Sequence, residues 1–201
     1  MSDLVIDKSV KLGNNVTIEP YCVIKGDTEV GDNAVIESFS VIINSKIGNN
    51  TRVCSSRICD SEVGNDCAVG PNAHLRQHAV VGNNCRIGNF VEIKNSYLGD
   101  FTKASHLAYI GDATVGKRVN IGCGVVFVNF NGREKNHTTV GDNCFLGCNV
   151  NLIAPVTLEN NCFVAAGTTV DGNLRKDEFA IGRAKMTIKP NRADKYIPFD
   201  N

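Results

Sequence analysis

Four residues spaced along the second half of the chain have side chains suited to chemistry at a narrow groove. His106 carries an imidazole, which titrates near neutral pH and can accept a proton from an attacking group. The other three are small: Cys123, Cys148 and Ala166. Each of the four follows an aliphatic residue by two positions, and these aliphatic residues are Ala104, Ile121, Leu146 and Val164. If the chain returns to the same place at these intervals, the four residues form one column with a base at its end.

A six-residue repeat makes the chain return in this way. Aliphatic residues recur at this period from the first residues onward, as at Leu12, Ile18, Ile24, Val30, Ile36 and Ile42. Repeats of this length build a parallel β-helix with three short strands, and roughly eighteen residues, per coil. Residues one coil apart then stack at the strand spacing of about 4.8 Å. The column from His106 to Ala166 therefore spans roughly 14 Å, which suits an extended, thin ligand.

The repeat also assigns inward and corner positions. A small residue precedes each aliphatic residue by two, and glycine followed by Asn-Asn or Asp-Asn often comes after it, as at Gly13, Gly31, Gly48 and Gly82. Such residues tolerate the positive φ of tight corners, and the period of six excludes an amphipathic α-helix. Five of the nine cysteines occupy the small inward position, so we predict that they are free core thiols: Cys22, Cys67, Cys85, Cys144 and Cys162. No C-x-x-C pair exists, which argues against structural zinc.

Composition narrows the class of protein further. The 201 residues carry 21 acidic and 21 basic side chains, so no net charge favours nucleic acid or a membrane surface. No stretch is long and apolar enough to span a bilayer or to act as an N-terminal signal. Together with the free thiols, this predicts a cytoplasmic location.

The repeat predicts one main domain and two exceptions to it. We expect the β-helix to occupy residues 1–170 and a C-terminal arm to follow over 171–201. Between Phe127 and Val140 the step is thirteen residues instead of six, so seven extra residues must loop out within residues 129–137. A loop that leaves a rigid scaffold is a favoured place for function.

From Gly70 to Arg183 the chain resembles a known family without a gap. The matching segments are Leu75-Arg76, 88–94 (GNFVEIK), 103–112 (KASHLAYIGD), 119–122 (VNIG), 129–132 (NFNG), 154–156 (APV) and 165–169 (AAGTT). They resemble the acetyltransferase domain of bifunctional N-acetylglucosamine-1-phosphate uridylyltransferase/glucosamine-1-phosphate N-acetyltransferase. The resemblance implies a left-handed coil, a homotrimer with sites between subunits, and acetyl-CoA as the co-substrate without a metal.

The resemblance also implies roles for particular residues. His106 would be the general base, Arg76 and Lys94 would hold the sugar phosphate, and Tyr109 and Asn120 would contact the sugar. Acetyl-CoA would contact Cys123, Asn129, Phe130, Cys148, Ala166 and Arg183. Independently, Arg76 and Lys94 are one coil apart, and two cations at about 4.8 Å repel unless an anion lies between them.

Some features depart from the family and leave alternatives open. The family usually has Tyr at position 130, Ser at 148 and Ala at 123, so the cofactor groove differs most. Its nucleotidyltransferase domain has no counterpart before Leu4, so we expect a separate nucleotidyltransferase to act downstream in UDP-N-acetylglucosamine synthesis. One alternative is an acyltransferase with another acceptor, such as a nucleotide-linked amino sugar. A third reading is a zinc hydratase or a non-catalytic β-helix. A hydratase needs three convergent histidines, but His74 and His78 occupy different positions of the repeat and so point in different directions.

Overall fold

The computed structural model describes residues 4–192, which form a parallel solenoid of about ten turns. Most turns contribute one short strand to each of three faces, and no helix occurs within residues 4–192. All strand pairings between successive turns are parallel and in register, as the six-residue repeat predicts. Apart from Leu12, which is exposed, and Ile18, which is partly buried, the anchors of the repeat point inward and are buried. The five cysteines in the small inward positions are also buried, and none of them forms a disulfide.

Two faces contain strands of two or three residues. Face one contains β1 (Val5–Ile6), β4 (Val23–Lys25), β7 (Val41–Ile43), β10 (Arg57–Cys59), β13 (His74–Arg76), β20 (Val126–Val128), β23 (Asn151–Ile153) and β26 (Thr169–Val170). Face two contains β2 (Lys11–Leu12), β5 (Glu29–Val30), β8 (Lys46–Ile47), β11 (Glu62–Val63), β14 (Val80–Val81), β16 (Tyr97–Leu98), β18 (Ala113–Val115), β21 (Thr138–Val140) and β24 (Val156–Leu158).

The third face shares two long strands with the first. Face three contains β3 (Thr17–Ile18), β6 (Val35–Ile36), β9 (Arg52–Val53), β12 (Ala68–Val69), β19 (Asn120–Ile121), β22 (Phe145–Leu146), β25 (Phe163–Val164) and β27 (Phe179–Ala180). The nine-residue strands β15 (Arg86–Lys94) and β17 (Lys103–Gly111) run from face three to face one through the corner between them. These two strands carry three of the predicted site residues, Lys94, His106 and Tyr109.

The two irregular segments have defined backbone contacts. In the extruded loop, Phe130 and Lys135 form an antiparallel bridge, and the Asn136 N–H donates to the Asn129 carbonyl at 2.6 Å. Beyond residue 170 the chain leaves the repeat, but β27 returns to pair with β25 and places Ala180 beside Val164. The pairing thus extends past the expected boundary at residue 170, while residues 193–201 of the expected arm lie outside the described residues.

Candidate active site

The predicted column lies at the corner between faces three and one. Ala104 pairs with Ile121, Ile121 with Leu146, and Leu146 with Val164, so the residues two positions further on are also stacked. Main-chain hydrogen bonds continue through this corner. The Asn149 N–H donates to the Cys123 carbonyl, and the Gly167 N–H donates to the Cys148 carbonyl, both at 2.8 Å.

The surface along this column is open. His106, Cys123, Cys148 and Ala166 are all exposed. The coils approach closely here because glycine precedes both cysteines: a Cβ on Gly122 would lie 2.7 Å from the Cys148 nitrogen, and one on Gly147 would lie 2.5 Å from the Ala166 nitrogen. The Arg183 side chain lies at the far end, with its Cδ 3.7 Å from the place of a Cβ on Gly167. The column is therefore a shallow, backbone-lined strip with His106 and Arg183 at opposite ends.

His106 lies on a corner that two paired strands cross. Its partner in the preceding coil is Asn89, on β15. Gly88 makes this close pairing feasible, since a Cβ there would overlap the carbonyl oxygen of Ser105. Leu107 adopts a φ of 42°, in the left-handed region, and its carbonyl accepts the Gly124 N–H at 2.7 Å. The backbone on both sides of His106 is thus held by neighbouring coils.

A second group of site residues surrounds the carboxylate of Asp112. The Lys94 ammonium lies 3.1 and 3.0 Å from its two oxygens, and Asn95 Nδ2 donates to one of them at 2.7 Å. Asn129 Nδ2 donates to the other oxygen and also contacts the Tyr109 hydroxyl at 3.3 Å. We call Lys94, Tyr109, Asp112 and Asn129 the Asp112 cluster. The first, third and fourth are buried, with exposures of 5%, 8% and 7%.

At this ion pair, burial and the neighbouring polar groups shift the pKa of each residue in opposite directions. Burial raises the pKa of Asp112, but hydrogen bonds from Asn95, Lys94 and Asn129 outweigh it and hold the pKa below its ordinary value of 3.8. Burial likewise lowers the pKa of Lys94, but its hydrogen bond to Asp112 and the negative charge of that carboxylate leave it above the ordinary value of 10.5. Both groups are therefore charged at neutral pH.

Each predicted phosphate ligand already has a carboxylate partner. Arg76 and Lys94 are paired residues of adjacent coils, as their spacing predicts. However, Arg76 contacts Glu92, at 2.7 Å from Nε and 2.6 Å from a terminal nitrogen, just as Lys94 contacts Asp112. Repulsion between the two cations is thus relieved within the chain. The spacing of the two cations therefore does not by itself require an external anion, and their role in binding a phosphate stays a prediction.

Lys135 adds a third cation to the group formed by Arg76 and Lys94. Lys135, in the extruded loop, lies beside Lys94, which lowers the pKa of Lys135. Three cations then face two carboxylates, Glu92 and Asp112, which leaves one net positive charge. An anion can bind to this excess charge without displacing either internal partner.

Two of the expected site residues, Asn120 and Phe130, make no side-chain hydrogen bond to either group within residues 4–192. Asn120 lies on face three, paired with Lys103 and Phe145, whereas Tyr109 lies on face one. Phe130 is 56% exposed on the extruded loop. By contrast, Asn129, expected to contact the cofactor, is a buried member of the Asp112 cluster.

Sequence reasoning missed Asp112, Lys135 and Gly111. Asp112 follows Lys94 by eighteen residues, the same interval that connects Lys94 to Arg76, so coil counting could have found it. At Gly111, a Cβ would overlap the Tyr109 hydroxyl and lie 2.8 Å from Asn129 Nδ2, so these side chains would have to shift to accept it. Nothing in the repeat places Lys135, because the loop interrupts it.

The parallel solenoid of six-residue repeats places this protein in the class of β-helix proteins. Comparison of its sequence with models of known families identifies the family. A family model described as bacterial transferase hexapeptide (six repeats) matches residues 9–44, 60–95 and 137–172. The chain belongs to this family, whose repeats fit a left-handed β-helix, so the predicted fold class is confirmed.

Comparison with individual proteins shows which members of the family the chain resembles in sequence. The chain is 47% identical over 184 residues to the bifunctional protein GlmU of Acetivibrio thermocellus, covering 92% of the chain and 40% of that protein. It is 46% identical over 190 residues to GlmU of Clostridium botulinum, covering 94% and 42%. The chain thus spans about two fifths of the curated relatives it matches, and the predicted resemblance to the bifunctional enzyme is confirmed.

Solved structures share the fold at lower identity. The Arabidopsis UDP-N-acetylglucosamine acyltransferase superposes with a TM-score of 0.75 at 16% identity, covering 87% of this chain and 68% of that one. The Campylobacter jejuni UDP-N-acetylglucosamine acyltransferase gives 0.66 at 20%, covering 90% and 71%. Taken together, the comparisons support an acyltransferase of the hexapeptide family.

Two further findings concern metals and membranes. Across residues 4–192, no group of three or more His, Cys, Asp or Glu side chains could hold a metal ion, so the three convergent histidines of a hydratase are not found there. The same residues include no helix of the length and hydropathy needed to cross a bilayer.

Proposed function

We propose that this protein transfers the acetyl group of acetyl-CoA to the amine of glucosamine 1-phosphate or a closely related phosphorylated amino sugar. One observation carries the proposal: β17 bears both His106, at the end of the exposed column, and Tyr109, in the Asp112 cluster. Three residues of extended chain span roughly 10 Å at most, so both residues can contact one sugar phosphate. A donor in the column and an acceptor at the cluster would therefore meet at His106.

The cation-rich side of the site suits a phosphorylated acceptor. Arg76 and Lys135 would bind its phosphate through charge-assisted hydrogen bonds, since their region keeps one positive charge in excess. Lys94 would contribute through the third N–H of its ammonium, because Asp112 occupies two. Tyr109 and Asn129, fixed beside Asp112, would orient the sugar.

The chemistry requires one base and no metal. The acceptor amine attacks the thioester carbonyl carbon, the C–S bond breaks, and the CoA thiolate leaves. His106 takes the proton that the amine must lose, a role that typically contributes about 10²–10⁴-fold. Acetyl-CoA would lie along Cys123, Cys148 and Ala166, with Arg183 near its phosphates.

We further propose a cytoplasmic homotrimer with sites between subunits. Asn120 lies on face three and Phe130 is exposed on the extruded loop, and both would serve a site completed by a neighbouring copy. Cyclic symmetry would repeat one such interface three times. Native mass spectrometry tests this directly, and a monomeric mass at micromolar concentration would contradict it.

The activity is tested by measuring thiol release from acetyl-CoA with a panel of amine acceptors. We expect glucosamine 1-phosphate to be the best acceptor, glucosamine to be much poorer, and a UDP- or GDP-linked amino sugar to be inactive. Preference for the nucleotide-linked sugar would favour the alternative acceptor class, and no release with any amine would overturn acetyl transfer. With the expected acceptor, a separate nucleotidyltransferase would consume the product.

A further inference from the structure

Two of the nine cysteines differ from the rest in their exposure. Cys123 and Cys148 are exposed, whereas the other seven are buried or intermediate. Both exposed thiols lie in the column proposed to hold acetyl-CoA, and neither takes part in the proposed chemistry. A groove that admits a thioester of CoA also admits other small molecules that carry sulfur.

The two exposed thiols occupy equivalent positions in adjacent coils. Each lies two residues after a paired anchor, Ile121 or Leu146, and each precedes a residue with left-handed φ. The 2.8 Å bond from the Asn149 N–H to the Cys123 carbonyl joins the two corners directly. Stacked coils are about 4.8 Å apart, within the roughly 4.4–6.8 Å between Cα atoms that a disulfide bridges.

Two other pairs of cysteines also lie one coil apart, but both pairs are buried. Cys67 and Cys85 lie one coil apart, but both are only 3% exposed, and each thiol donates to main-chain carbonyls. Cys144 and Cys162 are also one coil apart and buried. No small disulfide can reach these sulfurs in the folded protein, so proximity and access coincide only at Cys123 and Cys148.

We propose that Cys123 and Cys148 form a thiol-oxidation site, which a small disulfide converts to an internal disulfide that closes the donor groove. One thiolate attacks a sulfur of the small disulfide RSSR, which forms a mixed disulfide and releases RS⁻. The second thiolate attacks the protein sulfur of that mixed disulfide, which forms the internal bond and releases another RS⁻. Two cysteine thiols are oxidised, one RSSR is reduced to two RSH, and the two thiol protons end on the released thiols.

The disulfide can form whether or not the proposed function is correct. Only its effect on acetyl transfer rests on the proposed function. If the column holds acetyl-CoA, the bridge occupies the strip along which the pantetheine arm lies, and acetyl transfer stops until a thiol reduces the bridge. Bound acetyl-CoA covers the two sulfurs and protects them. Formation of the bridge itself requires only stacking and access.

The test treats the reduced full-length protein with glutathione disulfide or with CoA disulfide. Intact mass and the number of thiols alkylated by N-ethylmaleimide under native conditions are followed in time, together with acetyl transfer. We expect loss of two alkylatable thiols with no added mass, loss of transfer, and recovery of both with dithiothreitol. CoA disulfide should act faster than glutathione disulfide if the groove recognises CoA.

Single variants separate the two steps. Cys123→Ser and Cys148→Ser should each stop at a stable mixed disulfide that adds one small thiol, and the double variant should take none. Cys59→Ser, which removes a half-buried thiol outside the column, should behave like the unaltered protein. Acetyl-CoA at ten times its Kd should slow oxidation about tenfold, because only about one site in eleven is then empty.

Several results would overturn the proposal. A mixed disulfide that persists on the unaltered protein would show that the two sulfurs cannot meet. Oxidation that maps to other cysteines would remove the site. A bridge that forms without loss of transfer would overturn its role in closing the groove, whereas normal acetyl transfer without any bridge would leave the proposed function intact and end this inference.

Discussion

Lys94 and Asp112 form a two-point ion pair inside the solenoid wall, with the ammonium 3.1 and 3.0 Å from the two carboxylate oxygens. Lys94 is 5% exposed and Asp112 is 8% exposed. Asn129 joins this pair from the base of the extruded loop. The pair therefore connects β15, the turn after β17 and the loop, and it fixes the position of Tyr109 through Asn129.

Removing the carboxylate should destabilise the fold strongly. In Asp112→Asn, the Lys94 ammonium remains buried without its counter-charge, a change that typically costs about 3–5 kcal/mol. Urea unfolding measures the loss. Glu62→Gln is the matched control, because it breaks an ion pair with Lys46 whose side chains are 56% and 61% exposed, and exposed pairs contribute about 0–1 kcal/mol. Equal losses in the two variants would show that the buried pair contributes nothing special.

The same pair should make stability depend on pH in the acidic range. The pKa of Asp112 is held below 3.8 in the folded protein, so the unfolded chain binds its proton first as pH falls. The contribution of Asp112 is then fully present above its unfolded pKa and is lost as pH falls through the lower folded value. The difference in unfolding free energy between the unaltered protein and Asp112→Asn should be constant near neutral pH and shrink below about pH 4. A difference that stays constant down to pH 2 would contradict the assignment.

Gly111 should not accept a side chain. In Gly111→Ala the new Cβ would overlap the Tyr109 hydroxyl and crowd Asn129, so the cluster must shift, at a cost of about 1–3 kcal/mol. Gly172→Ala is the control, because nothing lies within 4 Å of its added Cβ. We expect thermal unfolding to detect a loss only at position 111. Wild-type stability in Gly111→Ala would show that the cluster is loose.

The repeat predicts this fold well because period, burial and corner geometry agree at nearly every step. Ala104, Ile121 and Leu146 pair as coil counting predicts, even across the interrupted step. The loop itself is unpredictable from the period, since its shape depends on local hydrogen bonds such as those that the N–H groups of Arg133 and Glu134 donate to Asn131 Oδ1. Counterions were also missed, because spacing alone shows which charges are near each other and not which of them pair.

His106 should be required for turnover but not for donor binding. If His106 accepts the amine proton, His106→Ala should lower kcat by roughly 10²–10⁴ and leave the Kd for acetyl-CoA nearly unchanged. His78→Asn is the matched control, since His78 is an exposed corner residue with φ of 64°, which Asn tolerates. Steady-state kinetics and calorimetry measure the two quantities. Retained turnover in His106→Ala would remove it from the mechanism.

The excess positive charge around Arg76 and Lys135 should select a phosphorylated acceptor. Arg76→Ala removes a charge-assisted bond to the phosphate, so we expect acceptor binding to weaken by about 1.5–3 kcal/mol. Glucosamine should lose far less, because it never contacts the cation. Lys135→Ala should act in the same way, and the double variant should fall short of the sum, since both side chains bind one group. Arg76→Lys should rescue only in part, because a point charge does not replace a planar, two-point donor.

Arg118→Ala serves as the control for that series, because it removes an exposed arginine whose side chain hydrogen-bonds to Asn143 and lies outside the proposed site. Its kinetics should match those of the unaltered protein with both acceptors. KM values for glucosamine 1-phosphate and glucosamine, measured at saturating acetyl-CoA, provide the comparison. If KM rises by the same factor with both acceptors, Arg76 supports the fold and does not bind the phosphate. The ion pair between Arg76 and Glu92 would then be its main role, and the acceptor would be sought among sugars without a free phosphate.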